Sequence, residues 1–289
     1  MEDVTVLILT KNEEINLPDC LESVKGFAER IVIVDSGSTD ATRKIAEDSG
    51  ADFYVHPFEN NARQLNWGFD NTDIRTKWTL RLDADERLTP ALREELSGIM
   101  REHDDDSVTG VTAEAWLYFL GRKIKHGTRN KRKIIMFRTG TGRMEDRRMD
   151  EHAVLSSGHA VECRERFIHD DHKDLTHWIN KMNWYATREM QDYVEYIRNK
   201  NAYSIEGNND KTISSQRAKK YGIYYKFPKF LRCRLLFIWY YIFRLGFLDG
   251  KEGYIFHYMY HCWYRSLVDA KILEQMKSGR PFEETGDLK

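Results

Sequence analysis

The sequence lacks several features that would assign it to a large class of proteins. It has only 4 cysteines in 289 residues, and none of them forms a CxxC or Cys/His pair with metal-ligand spacing. This excludes a disulfide framework or a zinc module and favours a reducing compartment. There are only 5 prolines and no glycine-rich or serine-rich tract, so we expect no long flexible linker.

Long hydrophobic runs and strong net charge are also missing. The longest apolar run covers residues 235–243, which is shorter than the roughly 20 residues of a spanning helix. The acidic start, Met1–Val4, predicts that there is no export signal. A net charge of −1 argues against a protein that coats nucleic acid. The sequence contains neither a P-loop nor a GxGxxG glycine motif, so it lacks the signatures of P-loop ATPases and of dinucleotide-binding enzymes.

What is present is an alternation of apolar and amphipathic segments. Strands are predicted at Val4–Leu9, Ile31–Val34, Asp52–His56 and Trp78–Leu82. Helices are predicted at Leu17–Lys25, Ala41–Ser49 and Asn60–Asp70, with another beginning after Thr89 and Pro90. Strands separated by helices imply βαβ units, so the predicted fold class is α/β with a Rossmann-like, mostly parallel sheet flanked by helices.

The second half of the chain is less regular. Val108–Phe119 and Lys133–Arg138 are predicted as strands that add to the sheet in antiparallel fashion, and Asp174–Asn201 as a long helix. After a polar break at Glu206–Thr212 the composition changes. We therefore predict a domain boundary near residue 215, which separates a domain at 1–215 from a C-terminal helical extension at 216–289.

Three polar clusters follow predicted strands. They are Thr10–Glu14 after the first strand, Asp35–Asp40 after the second and Asp83–Glu86 after the fourth. Ligands of parallel sheets bind beyond the carboxyl ends of the strands, so the clusters predict a site at one edge of the sheet.

The residue types in these clusters indicate chemistry. Asp83 and Asp85 are two residues apart, so an extended backbone points both carboxylates to the same side, where Mg²⁺ or Mn²⁺ would relieve their repulsion. An acidic surface turn is the alternative. Asp35 is a candidate acceptor for a base or ribose, and Asp40 is a better candidate for the helix cap. Glu13 is either a ligand-binding residue or a solvated first-turn acid.

The segments Val6–Glu14, Ile33–Asp40 and Leu82–Glu86 resemble, in order and spacing, family 2 glycosyltransferases of the GT-A fold. The subgroup that they most resemble comprises bacterial lipopolysaccharide-core β-1,4-glucosyltransferases and relatives acting on lipid-linked glycans. Arg63–Asn66 and Ile168–His169 extend this resemblance. It implies an inverting enzyme with a UDP-sugar donor, glucose as the hexose, and Mn²⁺ or Mg²⁺ as cofactor.

The resemblance also implies roles for individual residues. The nucleotide-sugar site would comprise Thr10, Asn12, Glu13, Asp35, Arg63, Gln64, Asn66 and Asp83. The metal would be bound by Asp85, with Asp83 contacting either the ribose or the metal and His169 contacting either a phosphate or the metal.

A carboxylate base is also implied, because the family deprotonates an acceptor hydroxyl. The subgroup has a His-Glu pair where this chain reads Asp150-Glu151-His152, so Glu151 is favoured and Asp150 stays open. Glu145 and Asp146 resemble the Glu-Asp pair of other members. An acidic loop without a catalytic role is the alternative for each of them.

Half of all Phe, Tyr and Trp residues lie in 221–289, and residues 217–251 contain nine Lys or Arg against one acid, Asp249. This pattern is typical of a membrane interface, an amphipathic helix pair or a single-strand nucleic-acid surface. The resemblance favours the membrane, because the acceptors are lipid-linked, and we expect no nucleic-acid partner. The predicted membrane residues are Lys226, Lys229, Arg232, Arg234, Trp239 and Arg244.

The sequence thus predicts a peripheral glycosyltransferase at the cytoplasmic face of the inner membrane. Its partners would be a nucleotide-sugar donor, a lipid-linked oligosaccharide or lipopolysaccharide acceptor and an anionic membrane surface. One alternative is a sugar nucleotidyltransferase, although its glycine-rich loop after the first strand is absent. The other is a non-catalytic membrane adaptor that retains the fold.

Overall fold

The computed structural model describes residues 1–103, 105, 107–128, 132–145, 152–198 and 222–279. Its strands are β1 (Glu2–Thr10), β2 (Ala28–Asp35), β3 (Asp52–Val55), β4 (Trp78–Asp83), β5 (Glu86–Arg87), β6 (Val108–Phe119), β7 (Arg122–Lys123), β8 (Arg132–Arg138), β9 (Gly142–Met144), β10 (Ala153–Leu155) and β11 (His159–His169). Its α-helices are α1 (Leu17–Val24), α2 (Thr42–Asp48), α3 (Asn61–Asn71), α4 (Pro90–Glu102), α5 (Leu175–Arg198), α6 (Leu231–Ile238), α7 (Gly250–His257) and α8 (Tyr264–Ser278).

Contacts divide the chain into two compact units. The first comprises Met1–Lys123 and Arg129–Lys173, and the second comprises Ile124–Thr128 and Asp174–Lys289. The predicted boundary near 215 lies outside the described residues. Helix α5, which that boundary assigns to the first domain, belongs to the second unit because its apolar side chains pack with those of α8.

The first unit contains a mixed sheet with the strand order β3–β2–β1–β4–β8–β6–β11–β5, and β7 pairs with β6. Strands β3, β2, β1 and β4 pair with one another in parallel, whereas β8 runs antiparallel to both of its neighbours, β4 and β6. The predicted α/β class, with a Rossmann-like parallel part flanked by helices and an antiparallel addition, is confirmed.

Alternation along β1 explains why helices cover both faces of the sheet. Val6 and Ile8 point to one face and pack with α1 and α4, while Leu7 points to the other and packs with α3. Gly68 on α3 permits a close approach, since a Cβ atom there would lie 2.7 Å from Leu7 Cδ1. Thr89 caps α4 by accepting a hydrogen bond from the Leu92 amide, as predicted.

Strands β9, β10 and β11 are absent from the sequence prediction. In β11 only Cys163 and Phe167 are buried, and charged residues at 162 and 164–166 interrupt the apolar alternation. The period-two signal that reveals a strand is therefore weak in this segment, although β11 pairs with β6 along most of its length.

The second unit is helical, as predicted for the C-terminal region. Met182, Ala186 and Met190 recur at four-residue spacing on α5 and belong to one core with Val268 and Ile272 of α8. Two π-helical segments, Trp239–Phe243 and Tyr258–Trp263, follow α6 and α7. Among the described residues, no helix combines the length and apolar character that crossing a membrane requires.

Candidate functional site

The three polar clusters lie side by side at the carboxyl edge of the parallel strands. In the strand register, Thr10 of β1 is opposite Asp35 of β2, and Leu9 is opposite Asp83 of β4. The sequence-based prediction that these clusters converge is therefore confirmed.

Asp35 organises the loop that follows β2. Its side chain is almost fully buried and accepts hydrogen bonds from Thr10 Oγ1 at 2.7 Å, Gly37 N at 2.7 Å, Ser38 N at 2.7 Å and Ser38 Oγ at 2.5 Å. Both carboxylate oxygens are thus engaged within the loop. The contact with a nucleotide base stays a prediction, and the structure adds a role in shaping the loop.

The loop after β1 is joined to this second loop by Asn12. Its backbone is in the left-handed region, with a φ of 54°. The side-chain oxygen of Asn12 accepts a hydrogen bond from the backbone amide of Thr39 at 2.9 Å. The backbone amide of Asn12 donates one to Ser38 Oγ at 2.7 Å. The two loops therefore form one connected polar surface.

Glu13 is held by a residue that the sequence analysis missed. Its Oε1 accepts a hydrogen bond from Lys173 Nζ at 2.7 Å, and its Oε2 accepts one from Asn16 Nδ2 at 2.9 Å. Burial raises the pKa of the Glu13 carboxyl above its ordinary value, while Lys173 opposes that rise. Glu13 is thus a part-buried, paired acid and not a solvated one.

The predicted residues of α3 have different surroundings. Gln64 is buried and donates to His56 O at 3.0 Å and to Ser36 Oγ at 3.2 Å, so it supports the second loop. Asn66 binds the backbone of Met144 through both its oxygen and its nitrogen, each at 2.9 Å. Arg63 is half exposed and pairs with Glu59. A nucleotide contact stays a prediction for all three.

The acidic turn after β4 meets the end of β11. Strand β5 pairs with β11 so that Glu86 is opposite His169. As a result, His169 Nε2 lies 3.6 Å from Asp85 Oδ2. The side chain of Asp83 is 51% exposed, and its Oδ2 lies 3.5 Å from Lys133 Nζ. The structure therefore brings two of the predicted metal candidates, Asp85 and His169, into contact, and it places the carboxylate of Asp83 beside Lys133.

Two further residues complete this turn: Glu86, which the sequence analysis counted in the third cluster without a role of its own, and Lys133, which it did not identify. Glu86 Oε1 lies 2.5 Å from Lys133 Nζ, and the Glu86 side chain is only 2% exposed. The only sequence signal for Glu86 is its place directly after the acidic pair. Lys133 has no local signal, because it comes from β8.

The described part of this turn offers a divalent cation two protein donors. Among the described residues, no group of three or more His, Cys, Asp or Glu side chains has an arrangement that could hold a metal. Asp85 and His169 nevertheless offer an oxygen and a nitrogen donor close together. Mg²⁺ and Mn²⁺ are commonly bound by one or two protein ligands together with substrate phosphates and water.

The base candidates Glu151, Asp150 and Asp146 lie outside the described residues, and their roles stay predictions. Glu145 is described. It follows β9, and its amide donates a hydrogen bond to His152 O at 3.0 Å. This bond continues the pairing of the β9–β10 hairpin, so the backbone of Glu145 has a structural role.

One membrane prediction is corrected by the structure. Arg232 is 3% exposed, because it forms a buried ion pair with Asp269 and donates to Tyr225 O at 3.1 Å. It therefore cannot contact lipid. Lys229 is only partly exposed, whereas Lys226, Arg234, Trp239 and Arg244 are exposed.

Exposed apolar residues are interspersed with these basic side chains along the second unit's sequence. Trp239 is 52% exposed and Phe243 is 67% exposed. We define the aromatic–basic surface as the exposed residues Lys226, Arg234, Trp239, Ile242, Phe243, Arg244, Phe247 and Leu248. Isolated exposed apolar residues are common, so the notable feature of this segment is how many of them it contains.

Comparisons with known proteins give related sequences. The lipopolysaccharide core biosynthesis glycosyltransferase LpsC of Rhizobium meliloti is 29% identical over 208 residues, which is 70% of this chain and 76% of LpsC. The glycosyltransferase RP128 of Rickettsia prowazekii is 25% identical over 68% of this chain and 69% of its own. A glycosyltransferase of Rickettsia felis is 36% identical over 106 residues, but this chain spans only 37% of its length.

Similarity to solved structures is weaker. Glucosyl-3-phosphoglycerate synthase from Mycobacterium tuberculosis, in complex with Mn²⁺, UDP and glucosyl-3-phosphoglycerate, is 20% identical, with a TM-score of 0.32. The match covers 40% of this chain and 44% of the synthase. A likeness at this level carries no functional argument.

The family model described as glycosyl transferase family 2 matches residues 5–154. This span is more than half of the chain, and it contains the three polar clusters at the sheet edge. The chain belongs to glycosyl transferase family 2.

Proposed function

We propose that this chain is an inverting, metal-dependent glycosyltransferase that moves glucose from UDP-glucose onto a lipopolysaccharide-core or other lipid-linked glycan acceptor. It would act as a peripheral protein at the cytoplasmic face of the inner membrane. The observation that supports the proposal is the strand register that places Thr10, Asp35 and Asp83 at one edge of the sheet. The contact between Asp85 and His169 and the membership of the chain in family 2 add to it.

The connected loops after β1 and β2 would bind the nucleoside. Asp35 and Asn12 hold those loops in shape, and Glu13 is held in place by Lys173. The half-exposed carboxylate of Asp83 would contact the ribose. Asp85 and His169 would bind Mn²⁺ or Mg²⁺. When bound, such a cation acts as a Lewis acid that neutralises the diphosphate leaving group.

The acceptor would be activated by a carboxylate base, for which we propose Glu151, with Asp150 as the alternative. The base takes the proton of the acceptor hydroxyl while the oxygen of that hydroxyl forms a bond with the sugar's anomeric carbon. The bond from that carbon to the diphosphate breaks on the opposite side, which inverts the configuration.

The acceptor class is proposed from one relative and one surface. LpsC is named for lipopolysaccharide core biosynthesis and aligns with most of this chain. The aromatic–basic surface has the composition of a segment that lies in a membrane interface, with aromatic rings at headgroup depth and basic residues against anionic lipid.

The test is a donor panel on the full chain. Melting temperatures are measured with UDP-, GDP- and TDP-sugars, each with and without Mn²⁺, and transfer from stabilising donors to lipopolysaccharide-core acceptors is followed. We expect UDP-glucose to stabilise the chain most in the presence of Mn²⁺ and to donate glucose. Stabilisation by a non-uridine nucleotide alone would refute the donor, and transfer with retained configuration would refute the mechanism.

A further inference from the structure

Glu86 is the buried centre of the acidic turn. Its Oε2 accepts a hydrogen bond from the Asp83 amide at 3.1 Å. Its Oε1 accepts one from Lys133 Nζ at 2.5 Å and also lies 3.7 Å from His169 Nδ1. One carboxylate therefore contacts the backbone of Asp83, a lysine from a distant strand and the imidazole that faces Asp85.

Lys133 connects this buried carboxylate to the exposed part of the turn. Its ammonium lies 3.5 Å from Asp83 Oδ2 and 5.0 Å from the centroid of the Phe167 ring. The side chain is 22% exposed, so solvent screens the pair only partly. Lys133 is thus a fixed positive charge between Asp83 and Glu86.

The negative charges at this turn show why the ammonium group of Lys133 matters. Asp83, Asp85 and Glu86 place three carboxyl groups within four residues. The positive charge of a bound divalent cation would be neutralised by Asp85 and by the diphosphate of the donor. The negative charges of Asp83 and Glu86 would then need another positive partner. Lys133 contacts both of these carboxylates and so places a positive charge beside each of them.

We propose that Glu86 and Lys133 act as a pair of positioning residues, which orient His169 and Asp83 for the cation and the nucleotide of the donor. This inference rests on the proposed function. Ligand histidines commonly have their second ring nitrogen beside a carboxylate that sets the ring's orientation, and loss of that partner lowers metal affinity roughly 10- to 100-fold. Glu86 Oε1 is a carboxylate oxygen on the Nδ1 side of His169, at 3.7 Å, which is slightly longer than a hydrogen bond.

A purely structural ion pair would behave differently from a positioning pair. Removing one partner of a buried pair leaves the other charge uncompensated, whereas removing both partners is often close to neutral for stability. If the pair only supported the fold, the double variant K133M/E86Q would recover both stability and ligand affinity. A positioning pair predicts that stability recovers and affinity does not.

The experiment measures two quantities on the full chain: the melting temperature without ligand, and the affinity for Mn²⁺ in the presence of UDP by titration calorimetry. We expect K133M and E86Q each to lower the melting temperature, and K133M/E86Q to return it to within about 2 °C of the wild-type value. We expect all three variants to bind Mn²⁺ with UDP roughly 10- to 100-fold more weakly than the wild type.

The matched control removes another ion pair of the first unit. Arg30 and Asp52 form a pair at 2.7 Å near the amino ends of β2 and β3, so R30M/D52N should leave Mn²⁺ affinity unchanged. Wild-type affinity in K133M/E86Q would overturn the positioning role alone. A folded wild-type chain that binds no Mn²⁺ with UDP would instead overturn the proposed function, and this inference with it.

Discussion

His169 Nε2 lies 3.6 Å from Asp85 Oδ2, although the two residues come from distant parts of the chain. The contact exists because β11 runs antiparallel to the short strand β5, and this pairing sets His169 opposite Glu86. The amide of Asp170 then donates a hydrogen bond to Asp85 O at 2.9 Å. The acidic turn after β4 is therefore completed by the last strand of the first unit.

Replacing either member of this contact should abolish cation-dependent turnover. We expect D85N and H169A each to lower Mn²⁺-dependent consumption of the UDP-sugar by about 100-fold or more, because charge on the leaving group is no longer stabilised. Turnover at saturating Mn²⁺ and donor is the measurement. D70N is the control, since Asp70 is an exposed acid that pairs with Arg143 on the surface. Unchanged turnover in D85N would contradict the metal assignment.

The loop after β2 should be sensitive to a change that keeps the size of Asp35 but removes its charge. In the wild type, both carboxylate oxygens of Asp35 accept hydrogen bonds. In D35N, one of these oxygens is replaced by an NH₂ group, which cannot accept them, so at least one buried hydrogen bond is lost. We expect a decrease of about 3 kcal/mol in the free energy of unfolding, measured by urea denaturation. E47Q on the exposed surface of α2 is the control, and equal stability of D35N and E47Q would contradict the loop-organising role.

The parallel half of the sheet and its site edge could be predicted because their signals are local. Apolar runs such as Ile31–Val34 and the cap at Thr89 are visible within a few residues. Parallel strands place their carboxyl ends on one edge whatever the details of packing, so the clusters at Thr10, Asp35 and Asp83 had to converge.

The remaining features depend on contacts between distant residues. Lys133 joins the site only because β8 inserts between β4 and β6, and no local pattern encodes that order. Arg232 lies among aromatic residues like its basic neighbours, yet the carboxylate of Asp269 on α8 determines that it is buried. Charge and spacing along the chain do not reveal such a partner.

Two buried histidines should make the second unit sensitive to acid. Burial, together with nearby His257 and Arg265, lowers the pKa of His261 to about 2, and burial also lowers the pKa of His257. In the unfolded chain both protonate near their ordinary pKa of about 6.5. Stability therefore falls as the pH drops below this value, by up to about 1.4 kcal/mol per pH unit for His261, and His257 adds to the loss only down to its own lowered pKa.

The variant H261F isolates one of these contributions. His261 is stacked on Tyr240, with ring centroids 4.0 Å apart, and phenylalanine retains that contact. We expect urea unfolding between pH 7.5 and pH 5 to show a smaller loss of stability in H261F than in the wild type. The exposed His159, changed to glutamine, is the control. Identical pH profiles for H261F and the wild type would contradict the assignment.

The aromatic–basic surface should bind anionic membranes, and its exposed arginines should account for the lipid preference. A basic residue near an anionic surface contributes about 1 kcal/mol to binding, so R234Q/R244Q should weaken association by about 30-fold. Trp239 and Phe243 would contribute apolar contact, so W239A/F243A should weaken binding to anionic and neutral vesicles alike. Flotation with phosphatidylglycerol-containing and phosphatidylcholine vesicles measures both effects.

The matched control for R234Q/R244Q is K25Q/R43Q, which removes the same charge from exposed positions of the first unit. If a general electrostatic attraction were responsible, both double variants would lose binding equally, and a specific membrane surface would be contradicted. We expect K25Q/R43Q to float like the wild type. Higher salt should weaken wild-type flotation more than that of R234Q/R244Q, because salt screens the arginine charges and not the apolar contact.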